Sequence, residues 1–107
     1  MMRPKSRYIL VESSVQIEAA NAQQFERQLY EALLRSIGEL SYHEANPRIM
    51  KFLNERQFIL KCGLQGYKST ILALSMIKRL EGAEIAFYTI KSSGTIRALL
   101  KAPSGDK

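Results

Sequence analysis

The string Gly63-Leu-Gln-Gly66-Tyr-Lys68-Ser69 is where this chain comes closest to carrying chemistry of its own. Glycines ahead of a helix N-terminus let backbone N–H groups approach a phosphate, and Lys68 is placed to neutralise it. The spacing is not that of a P-loop, which has four residues between its glycines and runs directly into Lys-Ser/Thr. Two readings stand: a turn that starts a helix, or a backbone contact to a phosphate. Ser92-Ser93-Gly94-Thr95-Ile96-Arg97 forms a second strand-to-helix corner, with Lys91 just before it. The N–H groups of a new helix, with Lys91 and Arg97, suit an anion. Capping by Ser93 or Thr95 explains the same residues.

No catalytic constellation accompanies these corners. His43 is the one histidine, with no Cys at ligand spacing beside it, so no residue is assigned to a metal. Cys62, the one cysteine, ends an apolar alternation and reads as a small buried hydrophobe; it also excludes an internal disulfide framework. Glu39 and Glu44 are out of phase for an acid/base pair. No residue is assigned a catalytic role.

Charge is sorted along the chain. Arg48, Lys51, Arg56, Lys61, Lys68, Lys78 and Arg79 face one acid, Glu55, between positions 48 and 79; six acids stand against Arg27 and Arg35 between Glu12 and Pro47. Arg3, Lys5 and Arg7 at the front, and Lys91, Arg97, Lys101 and Lys107 at the back, add to a net charge of +6. Such segregation points to a polyanion, and nucleic acid is the first to test. At 107 residues, 46% apolar and 24% charged, the chain suffices for one domain over residues 1–102 with a loose tail at 103–107. No apolar run reaches the ~20 residues that cross a bilayer, and the first residues lack a signal-peptide core, so an intracellular, cytoplasmic protein is expected.

The elements that must position these residues follow from period and punctuation. Tyr8 to Val11 is uninterruptedly apolar and reads as a strand in the middle of a sheet. Asn21 with Gln24 has the capping-box spacing and opens a helix through about Leu40, with Phe25, Leu29, Leu33, Ser36, Ile37 and Leu40 on one side. Asn46-Pro47 breaks that phase. Arg48 to Leu53 and Gln57 to Cys62 read as a hairpin, Tyr67 to Leu80 as a second helix stopped by Gly82, Ala83 to Ser92 as a fourth strand, and Gly94 to Lys101 as a short helix. The order βαββαβ is that of an α+β, ferredoxin-like sandwich, one four-stranded antiparallel sheet with two helices on one face. Its other face is expected to be open.

That open face offers few aromatics for base stacking. Phe58 alternates toward the core with Leu60, which leaves Tyr8. Phosphate contact to a folded RNA is the better match. On the second helix, Thr70, Ala73, Leu74 and Ile77 take the core, so Leu72 and Met76 fall outside it and suit either a protein partner or a wide core contact.

Arg7-Tyr8-Ile9-Leu10-Val11-Glu12, Lys61-Cys62, Tyr67-Lys68, Ala73-Leu74-Ser75-Met76-Ile77 and Ser93-Gly94-Thr95-Ile96-Arg97, in this order, resemble the eukaryotic and archaeal ribonuclease P protein component 2 family from about Lys5 to Leu100. The resemblance implies a non-catalytic subunit of archaeal type. In that ribonucleoprotein the RNA and its Mg²⁺ ions remove the 5′ leader from precursor tRNA, and the protein binds no cofactor. It implies as partners the ribonuclease P RNA, protein component 3 and other protein subunits, and precursor tRNA within the complex, with no membrane. The expected RNA contacts are Arg3, Lys5, Arg7, Lys61, Lys68, Lys91, Arg97 and Lys101, and the expected partner contacts Leu72 and Met76. The chain departs from the family at Leu64, where an arginine is common, so that contact falls to Lys61 or Lys68. Two rivals remain: a small hydrolase whose Gly63–Lys68 string echoes the acylphosphatase phosphate cradle, and a module that binds only protein.

Overall fold

The computed structural model describes residues 5–100. Strand β1 (Ser6–Ser13) lies inside a four-stranded antiparallel sheet of order β2-β3-β1-β6, with β2 spanning Arg48–Phe52, β3 Gln57–Gly63 and β6 Phe87–Ser93. This is the ferredoxin-like strand order. Helices α1 (Ala22–Ile37) and α3 (Tyr67–Met76) pack on one face of the sheet and on each other. Alternation along β1 sends Ile9 and Val11 into that layer, where they meet Phe58, Leu60 and Cys62 of β3 and Phe25, Leu29 and Leu33 of α1, all buried. The β2–β3 hairpin is held by Asn54, whose Oδ1 accepts the N–H groups of Arg56 (2.8 Å) and Gln57 (3.0 Å).

Several expectations are corrected. The first helix stops at Ile37, because Gly38 takes φ 85°, a conformation open to glycine, and a separate helix α2 (Glu39–Ala45) follows. Leu40 thereby leaves the apolar stripe and is 77% exposed. Asn21 stands at the N-cap without capping through its side chain, whose Nδ2 instead donates to Glu18 Oε1 at 3.4 Å.

The second long helix ends at Met76, not Leu80. Ile77 turns extended, and Arg79–Leu80 (β4) pairs with Ala83–Glu84 (β5) in a small separate hairpin. Its two central residues, Glu81 (φ 51°) and Gly82 (φ 81°), both have the positive φ of a type I′ turn. Gly82 therefore turns a hairpin and does not stop a helix.

The other sheet face is partly covered. Helix α4 (Ile96–Leu100) packs across β1 and β6, with Leu99 buried. Ile59, which the register places opposite Leu10 on this side, is 0% exposed. Among the described residues no helix is long and apolar enough to cross a membrane. The tail expected at 103–107 lies outside the described residues.

Candidate nucleic-acid interface

Both edge strands carry a bulge, and the bulges decide where the cations point. In β6 the register runs Leu10↔Lys91 and then Val11↔Thr89, leaving Ile90 as the extra residue; in β2 it runs Ile49↔Leu60 and then Lys51↔Ile59, leaving Met50. In a regular strand Lys91 would share the core face of Phe87, and Arg48 that of Phe52. The extra residue reverses the alternation. Arg48 then stands opposite Lys61 and Lys61 opposite Tyr8, while Lys51, Ile59, Leu10 and Lys91 form the next rank on the same side.

Three tyrosines back this end of the sheet. Lys61 Nζ lies 6.0 Å from the Tyr8 ring centre, and the Arg48 guanidinium lies 5.5 Å from that of Tyr30. Tyr30 Oη accepts the Ile49 N–H at 2.7 Å, tying α1 to the edge of β2, and burial pushes its phenol above the ordinary value. The Arg7 guanidinium lies 5.2 Å from the Tyr67 ring centre.

Of the expected RNA contacts, Lys5, Arg7, Lys61, Lys68, Lys91 and Arg97 are brought to one end of the sheet, where β1 and β2 begin and β3 and β6 finish. Lys5, Lys68, Lys91 and Arg97 are exposed; Arg7 and Lys61 are half-buried. Arg3 and Lys101 lie outside the described residues. Arg56, Lys78 and Arg79 belong to the opposite end, where Ser13 N–H donates to Arg56 O and Ser14 N–H to Ala86 O. Arg48 was absent from the expected contacts although it heads the basic segment; only the register shows it beside Lys61. Tyr88, exposed on the same face, was also not anticipated.

Packing accounts for the glycines of the string. A Cβ on Gly66 would lie 2.3 Å from Ala45 Cβ, and one on Gly63 would lie 2.9 Å from the Glu44 carbonyl oxygen. Both glycines therefore serve close approach to α2. Two N–H groups here are engaged as well: Leu64 N–H donates to Lys5 O, and Tyr67 N–H to Leu64 O. At the second corner Thr95 caps α4, its Oγ1 accepting the Ala98 N–H at 3.1 Å.

Nothing among the described residues pairs a nucleophile with a base. Cys62 is buried, and desolvation pushes its thiol up against smaller opposing effects of a Thr70 hydrogen bond and Arg7. His43 is exposed at the end of α2, edge-on to Tyr42. No group of three His, Cys, Asp or Glu among the described residues is placed to hold a metal ion. What the arrangement offers is fixed positive charge. On α3, Leu72 (60% exposed) and Met76 (57%) lie on the outer side, opposite the buried Thr70, Ala73 and Leu74.

The chain is similar to known proteins. The model of the Rpp14/Pop5 family matches residues 7–103. Ribonuclease P protein component 2 of Pyrococcus furiosus is 27% identical over 99 residues, which cover 92% of this chain and 82% of that protein. A chain in the cryo-EM structure of yeast ribonuclease MRP superposes with a TM-score of 0.67, covering 97% of this chain and 85% of that one. At 11% identity, that last likeness is one of fold.

Proposed function

Since this chain belongs to the Rpp14/Pop5 family, we propose that it is a protein subunit of ribonuclease P, supporting the catalytic RNA in removal of the 5′ leader from precursor tRNA. One observation above others supports this reading. The cations Lys5, Arg7, Arg48, Lys61, Lys68, Lys91 and Arg97 gather at one end of a sheet whose described residues include no nucleophile paired with a base. Phosphates of a folding RNA repel one another, and fixed cations on a rigid sheet offset that repulsion without reading sequence. The RNA, with its Mg²⁺ ions, supplies the hydrolytic chemistry. Leu72 and Met76, exposed on the far side of α3, suit a protein subunit such as component 3. Precursor tRNA meets the assembled complex, which we place in the cytoplasm of a cell with the archaeal-type enzyme.

If about five phosphates are neutralised, log K for the catalytic RNA domain will fall with log salt at a slope of roughly −3.5 to −4.5. Titration of the reconstituted complex between ~50 and ~200 mM salt measures it. Binding indifferent to salt refutes the electrostatic role. Reversing Lys91 and Arg97 together to glutamate will raise the Mg²⁺ needed for half-maximal cleavage by about twofold or more, because the ions must replace the lost neutralisation. An unchanged Mg²⁺ requirement removes that corner from the interface.

A further inference from the structure

We propose that Tyr67 and Ser92 are positioning residues for Arg7, and that the three together seat a single RNA phosphate at the rim of the sheet. The proposal rests on the reading of this chain as an RNA-facing subunit and assigns one contact within it. Arg7 stands opposite Cys62 at the start of β1. Its guanidinium covers the Tyr67 ring at 5.2 Å, and its Nη2 donates to Ser92 Oγ at 3.4 Å. The same Ser92 Oγ shares a hydrogen bond of 2.7 Å with Tyr67 Oη. Each residue thus touches the other two, and they come from β1, α3 and β6, with 85 positions separating Arg7 from Ser92.

The partners fix the arginine without neutralising it. Tyr67 and Ser92 are uncharged, and among the described residues they are the groups that hold Arg7. A guanidinium has five N–H donors in a planar fork, and Ser92 takes one. A two-donor edge remains for two oxygens of a phosphate, the geometry in which arginine binds that group best. A free surface arginine must be immobilised on binding; here the ring and hydroxyl have restricted it beforehand. Tyr67 opens the ten-residue helix α3 and Lys68 follows it, so this end of the helix carries positive potential.

The test uses the complex reconstituted from the ribonuclease P RNA and its protein subunits, with affinity measured across a salt series for Arg7→Gln, Tyr67→Leu, their double variant and Arg7→Lys. Arg7→Gln is expected to weaken binding about tenfold and make the salt slope shallower by about 0.7–0.9, the loss of one phosphate. Tyr67→Leu is expected to weaken it about fivefold in the wild-type background and to add nothing once Arg7 is gone. Arg7→Lys keeps the slope but loses about fivefold, since an ammonium cannot form the fork. Should Tyr67→Leu fail to fold, Ser92→Ala takes its place in the same cycle. Losses that multiply in the double variant, or an Arg7→Gln slope equal to the wild type, overturn the proposal. A wild-type complex whose affinity ignores salt instead overturns the underlying reading.

Discussion

Gly66→Ala will destabilise the protein by about 2–4 kcal/mol, a cost set by backbone and not by side-chain fit. The added methyl would lie 2.3 Å from Ala45 Cβ and 2.6 Å from Ala45 Cα, so α2 must move bodily away from the turn that starts α3. Trimming the opposing side chain does not relieve this, because Ala45 Cα and N, at 2.6 and 3.0 Å, remain in place. The double variant Gly66→Ala/Ala45→Gly is therefore expected to stay destabilised. For a chain of this size the single change should lower the melting temperature by about 10 °C or more. Equilibrium urea denaturation checks it, and an unshifted midpoint would mean that α2 slides freely on the sheet. The effect extends to the rim where Arg7, Tyr67 and Ser92 meet, since Gly66 immediately precedes Tyr67.

Phe58→Ala will cost about 3–5 kcal/mol. Phe58 is fully buried at the meeting point of three other rings: Phe25 at 5.6 Å, Phe52 at 5.9 Å and Phe87 at 6.1 Å between centroids, all edge-on or tilted. Those rings come from α1, β2 and β6, so no single element can shift to fill the space. Phe58→Leu, which keeps most of the volume, should lose about 1–2 kcal/mol. Both are read from denaturant midpoints at constant m-value. A loss below about 1 kcal/mol for the alanine variant would show that the aromatic cluster repacks, contrary to its rigid, layered origin.

Much of the architecture was legible locally. Uninterrupted apolar residues at Tyr8–Val11 placed that strand inside the sheet, and the alternation of Phe58, Leu60 and Cys62 assigned their faces, because period 2 leaves a half-buried strand no other choice. The second helix was overrun for an equally physical reason. Ile77 and Leu80 have the i,i+3 spacing of one helix face, and both are buried although the helix ends at Met76, so their burial gave no local sign of the stop; the Glu81-Gly82 turn belongs to a hairpin. Ile59 alternates away from the core with Gln57 and Lys61, yet it is buried on the side where α4 packs. Gly63 and Gly66 left two readings open, a helix-starting turn or a phosphate contact, because glycine before a helix serves phosphate approach and close packing alike.

By itself, then, the chain's order of residues determined the element sequence, the apolar core, the segregation of positive charge and the family signature, since each of these is written in neighbours along the backbone. Only the tertiary structure decided which cations lie side by side. The bulges at Ile90 and Met50 exist only in the pairing of strands, and they turn Lys91 and Arg48 to the side of Lys61. Likewise Arg7, Tyr67 and Ser92 meet only when β1, α3 and β6 converge. Register and packing are long-range choices, made by how strands and helices share one core, and no local pattern encodes them.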